Sequence, residues 1–159
     1  MTMTPKEVSI GHTLQHLTHI LHLKRIAARG VDLVIDVTNM DNVKNLSFDC
    51  VFCSGVLEHV SEVHKALIGI HRILKPGATL LLGLPFNQPI HMAPTDYWMF
   101  TEYGIRFLLE KENNIIEIAA IDAANKMDPS TYWVYAQKNT MKTKLMVVHL
   151  PNFISSQEF

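Results

Sequence analysis

Residues 48–60 read Phe48-Asp49-Cys50-Val51-Phe52-Cys53-Ser54-Gly55-Val56-Leu57-Glu58-His59-Val60. The first seven, FDCVFCS, are nearly apolar throughout, the pattern of a strand covered on both faces. A helix is predicted next, over about residues 61–74. Val63, Leu67, Ile70 and Leu74 form its apolar stripe, and Ser61 stands at the N-cap. Lys75-Pro76-Gly77 ends the helix with turn chemistry, since proline presets φ and glycine accepts φ > 0. Residues 78–84 (ATLLLGL) then form another strand, closed by Pro85. Apolar strands alternating with helices predict an α/β fold with a mostly parallel sheet. Right-handed crossovers place helices on both faces, giving a Rossmann-like three-layer sandwich.

Upstream, residues 31–36 (VDLVID) read as a short strand ending in an acid. Residues 10–29 read as a helix, with Leu14, Leu17 and Leu21 on one stripe and Gly30 as the stop. Downstream, residues 85–99 form a long loop containing Pro85, Pro89 and Pro94. Thr101 is the N-cap of a helix running to about Lys111, with Phe100 and Ile105 at staple positions. Residues 115–121 and 132–137 are two further strands, separated by a polar turn with Asp128 and Pro129. Residues 144–150 are read as one more short strand before a tail. Three regions result: an N-terminal segment with its helix (1–30), the α/β domain (31–138) and a C-terminal strand and tail (139–159).

Composition excludes several classes. The 159 residues carry 14 basic and 15 acidic side chains, and 48% are hydrophobic. That is too apolar and too nearly neutral for a disordered chain. No basic stripe points to nucleic acid. Two cysteines make no disulfide scaffold, so a reducing compartment is the expectation. The longest apolar run, residues 78–86, is too short to span a bilayer, and no signal-peptide pattern opens the chain. The expected setting is cytoplasmic, with no membrane and no nucleic-acid partner.

The blocks quoted above resemble class I S-adenosylmethionine-dependent methyltransferases of the type 11-like group. Residues 48–60 resemble that family's fourth strand and following loop, and Arg72-Ile73-Leu74-Lys75-Pro76-Gly77 its helix-to-strand turn. Pro85-Phe86, Pro89-Ile90-His91, Pro94-Thr95-Asp96-Tyr97-Trp98 and Phe100-Thr101 resemble a subgroup with a long substrate loop at this place. The resemblance implies methyl transfer from S-adenosylmethionine to a small-molecule acceptor. It departs from the family at the front. No two glycines are spaced as the Gly-x-Gly-x-Gly loop requires, and the strand ending in a ribose-binding acid is not visible. In family order residues 31–36 look like the third strand, so the domain reads as incomplete at its N-terminus. The alternative function is therefore a degenerate, non-catalytic methyltransferase-like domain or fragment that dimerises or binds a partner.

A missing first strand leaves the 48–54 strand with an open apolar edge, which invites partners. Strand 31–36 closes up against it, a second copy supplies the pairing in a homodimer, or the chain is a piece of a longer protein.

By resemblance, Asp36, Val37, Ser54, Gly55, Leu57 and Glu58 surround the cofactor. His59 and His91 are the candidate catalytic bases, since imidazole titrates near working pH. His91, Asp96 and Tyr97 are the candidate acceptor contacts. Each has a plainer reading: Asp36 caps its own turn through Thr38, residues 54–59 are a helix entry, and the proline-rich loop is a structural loop pinned by Trp98 and Phe100. His12, His16 and His19 share a helical face near His22, but no Cys, Asp or Glu completes a ligand set, so no metal site is expected. Cys50 and Cys53 point to opposite faces of a strand and read as core.

Overall fold

A computed structural model describes residues 20–23, 35–122 and 128–140. Five strands form one sheet: β1 (Ile20–Leu23), β2 (Phe48–Ser54), β3 (Leu74–Pro85), β4 (Asn113–Ile121) and β5 (Thr131–Lys138). Their order is β1-β2-β3-β5-β4. Two helices, α1 (Val63–Ile73) and α2 (Glu102–Leu109), and a 3-10 turn at Leu57–His59 complete the described elements. None of the described helices is long and apolar enough to cross a membrane.

The apolar run of residues 48–54 forms a strand because both of its edges and both of its faces find partners. Val51 and Cys53 lie level with Leu80 and Leu82 of β3, which in turn face Ala136 and Val134 of β5. This face joins Ala66, Ile70 and Ile73 of α1 and Ile105 and Leu109 of α2 in one buried cluster. Both described helices therefore lie over the same face. On the other face, Phe52 lies level with Leu81 and stacks on Trp133, ring centroids 5.7 Å apart. Cys50 and Cys53 are both buried and face opposite sides, as their spacing implies.

The architecture is the expected incomplete Rossmann-like α/β fold, with several corrections. The sheet is not mostly parallel: β1–β2 and β2–β3 are parallel, but β3–β5 and β4–β5 are antiparallel. β4 and β5 follow one another across a short connection, and strands so joined can only run antiparallel. Residues 20–23, expected within a helix, are strand β1. Apolar β2 has main-chain groups on both edges that need partners, and Ile20–Leu23 pair with Cys50–Cys53. The edge expected to be open is thus filled by the chain's own β1, not by strand 31–36 or a second copy. Asp36 forms only an isolated bridge with Asn39. The rest of the 10–29 helix, most of the 31–36 strand and the 144–150 strand lie outside the described residues.

Smaller differences have local causes. Helix α1 begins at Val63, with Glu62 rather than Ser61 at its cap and no side-chain cap bond. The 3-10 turn and extended Val60 use up the preceding residues. Strand β3 starts early, at Leu74. Phe48 pairs with Leu74 but Cys50 with Thr79, so Lys75-Pro76-Gly77 remains an excursion within the strand, with Gly77 at φ +75°. Helix α2 starts as predicted: the Thr101 hydroxyl accepts from the Gly104 N–H at 3.0 Å, and Phe100 and Ile105 are buried beside it. It ends at Leu109, short of Lys111. Lys138 closes the far end of the sheet. Its Nζ donates to the carbonyls of His71 and Leu74 at 2.7 and 2.8 Å, satisfying groups at the end of α1.

Burial pushes the Cys50 thiol up to about 11 and the Cys53 thiol up to about 12, the latter with help from the Glu58 charge. Thiolate is the reactive form, so at pH 8 both are protonated in the folded protein. An aromatic disulfide reagent at pH 8 is expected to leave both cysteines unmodified until denaturant is added. Rapid modification of the native chain would contradict this packing.

Candidate functional site

Because β1, β2 and β3 are parallel, their carboxyl ends share one edge, the usual place for a ligand in such sheets. Beyond β2 the chain turns at Gly55, whose φ of +67° favours glycine. A Cβ there would meet only the Glu58 Oε1, at 3.9 Å. Beside it in the sheet, Gly83 pairs with Ser54. A side chain on Gly83 would collide with that of Ser54 and press on the Trp133 ring at 3.0 Å.

Beyond β3, residues 86–101 form a loop fastened by main-chain bonds. The N–H groups of Tyr97 and Trp98 both donate to the Glu58 carbonyl, at 2.8 and 3.2 Å. The Phe100 N–H returns to the Pro85 carbonyl at 2.7 Å. The Trp98 indole Nε1 donates to the Val60 carbonyl at 2.7 Å. These bonds lay the loop over the turn at 57–60.

The consequence is a buried cluster. The His59 ring is only 3% exposed, and its Nδ1 is 2.8 Å from the Thr95 carbonyl. Its Nε2 lies 4.0 Å from Glu58 Oε1, and Glu58 is buried. The Asp96 carboxylate, 2% exposed, accepts from the His91 N–H at 2.8 Å and sits 3.2 Å from His91 Nδ1. Its other oxygen is 3.9 Å from His59 Nδ1. The two imidazoles meet edge to face, centroids 4.8 Å apart. Glu58 Oε2 and Asp96 Oδ1 are buried and make no hydrogen bond among the described residues.

Glu58, His59, His91 and Asp96, singled out separately in the sequence, are thus brought together. Tyr97 enters by its main chain, while its side chain is 48% exposed. Ser54 and Gly55 stand next to the cluster at the end of β2. Asp36 has a different engagement. Its carboxylate accepts from the Thr38 N–H and hydroxyl at 2.8 and 2.7 Å, and these bonds hold it below the usual carboxylate range. The side chains of Val37 and Leu57 are buried in the core, so only their main chain is open to a ligand. Glu58, grouped with the cofactor residues by resemblance, turns its carboxylate to His59 instead. Trp98 was expected to pin the loop, but the Thr95 carbonyl and the hydrogen-bond partner of the Trp98 indole were not foreseen. Their partners lie 36 and 38 positions away, and no local pattern signals such contacts.

A family model described as a methyltransferase domain matches residues 12–82, from before β1 into β3. The ubiquinone/menaquinone biosynthesis C-methyltransferase UbiE of Haemophilus ducreyi is 39% identical over 59 residues, which are 37% of this chain and 22% of that protein. The chain therefore spans less than a quarter of the curated relative it matches. Among solved structures, a SAM-dependent methyltransferase from Methanosarcina mazei superposes with a TM-score of 0.54 at 18% identity, covering 69% of this chain and 67% of that one. The 1,6-didemethyltoxoflavin-N1-methyltransferase of Burkholderia thailandensis, solved with bound 1,6-didemethyltoxoflavin and S-adenosylhomocysteine, gives a TM-score of 0.56 at 19% identity, covering 67% of this chain and 50% of that one. These likenesses show the fold.

The indole bond is expected to hold the loop. Trp98→Phe should cost about 1 kcal/mol in denaturant unfolding, the net worth of one such bond, whereas Tyr97→Ala at its exposed position should stay within about 0.5 kcal/mol of the parent. Equal effects would contradict the fastening described.

Proposed function

We propose that this chain, part of a methyltransferase domain of the class I S-adenosylmethionine-dependent kind, moves a methyl group from S-adenosylmethionine to a small-molecule acceptor at the carboxyl edge of its sheet. The observation that carries this reading is the junction there of the Gly55 turn with buried Glu58, His59 and Asp96 and the more exposed His91. The space around Gly55 fits close approach of a ligand to main chain. Ser54 and Gly55, the main chain of Val37 and Leu57, and Asp36 are the groups assigned to hold S-adenosylmethionine. When bound, it supplies an electrophilic methyl carbon on a sulfonium sulfur.

What the chain itself contributes is alignment of the acceptor and a proton-accepting group. His59 donates its Nδ1 hydrogen to the Thr95 carbonyl, so in the neutral ring its Nε2 keeps a lone pair. That nitrogen is placed to take the proton of an acceptor O–H or N–H. His91, on the exposed side of the cluster, and Tyr97 are assigned to grip the acceptor. Asp96 keeps the His91 ring turned by accepting from it.

A second reading rests on one observation: no pair of glycines in the sequence has Gly-x-Gly spacing. It makes the chain a non-catalytic methyltransferase-like module that binds a partner. Calorimetric titration with S-adenosylhomocysteine, then S-adenosylmethionine, separates the two. The first reading predicts micromolar binding that Gly55→Val abolishes. No binding at millimolar ligand, from a sample shown to be folded, would overturn it in favour of the second.

A further inference from the structure

We propose that Glu58, His59 and His91 form a binding site for a divalent transition-metal ion, with Asp96 and the Thr95 carbonyl orienting the two imidazoles. Donor atoms of the three residues lie within 4.8 Å of one another. Tetrahedral bonds of about 2.1 Å around a zinc ion put its ligand atoms roughly 3.4 Å from each other. An ion draws the three together by a turn of His91, whose side chain is 43% exposed, and by a smaller shift of Glu58 and His59, whose facing atoms are 4.0 Å apart.

The hydrogen-bond pattern is what points to a cation. His59 Nδ1 faces a carbonyl, which can only accept, so that nitrogen carries a hydrogen, and in the neutral ring Nε2 carries the lone pair. His59 Nε2 faces Glu58 Oε1 at 4.0 Å, one acceptor opposite another. His91 Nδ1 lies 3.2 Å from both the Pro89 carbonyl and Asp96 Oδ2, again acceptors, so its lone pair is also on Nε2. Glu58 Oε2 is buried without a hydrogen bond, in a residue 3% exposed. A buried carboxylate oxygen without a partner is strongly disfavoured. Donor atoms of two imidazoles and a carboxylate converging beside an unpartnered carboxylate oxygen are what a metal ion satisfies.

The donor set decides the class of ion. Two imidazoles and one carboxylate suit zinc, iron, cobalt or nickel, whereas calcium and magnesium prefer oxygen alone. The arrangement behind the donors is that of a metal centre, each imidazole giving its second nitrogen to a carbonyl or carboxylate. Three protein ligands leave a coordination position for water or another small ligand. The site was not visible in the sequence because Glu58 and His59 are adjacent while His91 arrives from the loop beyond β3. It stands whether or not the chain transfers methyl groups. An ion and a proton compete for the same lone pairs, so the test reads binding and not turnover.

The full chain, stripped with chelator, is titrated with Co²⁺ in visible absorption, then with Zn²⁺ in competition. The histidines at 12, 16, 19 and 22 offer a rival place for an ion, so all four are replaced by glutamine in the background protein. That background is expected to bind one equivalent of Co²⁺ with visible ligand-field bands. His91→Gln should weaken binding by about a hundredfold and Asp96→Asn by about tenfold. Circular dichroism checks that each variant is folded. No binding by the folded background protein would overturn the proposal, and so would affinity unchanged in His91→Gln.

Discussion

The main-chain carbonyl of Glu58 accepts hydrogen bonds from the Tyr97 and Trp98 amides, and the working edge of the sheet takes its form from that junction. One oxygen fixes two successive amides, so the loop beyond β3 is laid against the turn beyond β2. The Trp98 indole repeats the fastening at Val60, and the Phe100 amide returns the chain to the end of β3. Asp96 and Thr95 are carried in by these bonds and reach His59 from a side that its own turn cannot supply. The burial of two carboxylates beside two imidazoles is a result of the junction. Without it, Glu58 and His59 would be solvent-facing residues on a short turn.

The sequence makes the middle of this fold legible for physical reasons. FDCVFCS and ATLLLGL are so evenly apolar that only strands buried on both sides accommodate them, and Thr101 caps its helix because a hydroxyl there meets an orphan amide. Residues 20–23 are different. Leu21 falls on the helical stripe begun by Leu14 and Leu17, and a four-residue strand is too short to show a period of two. Its state is decided by the unpaired edge of β2, a tertiary demand that local pattern does not record. The reversed direction of β5 is likewise set by its hairpin with β4 and its pairing with β3.

The site was legible as residues and not as an arrangement. His59 and His91 attract notice singly, each for imidazole chemistry near neutral pH. That their rings meet, and that Asp96 lies beneath both, depends on contacts across more than thirty positions. Asp36 is placed by its neighbours in sequence instead. Position at a strand end suggested a ligand contact, and both Thr38 hydrogen bonds fall on its Oδ1, which turns the carboxylate by purely local contacts. A shared fold does not by itself assign chemistry. Here the proposed chemistry rests on four side chains and on the loop that assembles them.

Native-state hydrogen exchange, resolved by residue, tests that assembly most directly. If the loop is fastened as described, the amides of Tyr97, Trp98 and Phe100 exchange slowly, within about an order of magnitude of Leu80 and Leu82 in β3. Loop amides exchanging at the rate of an unstructured peptide, while β3 stays protected, would contradict the account.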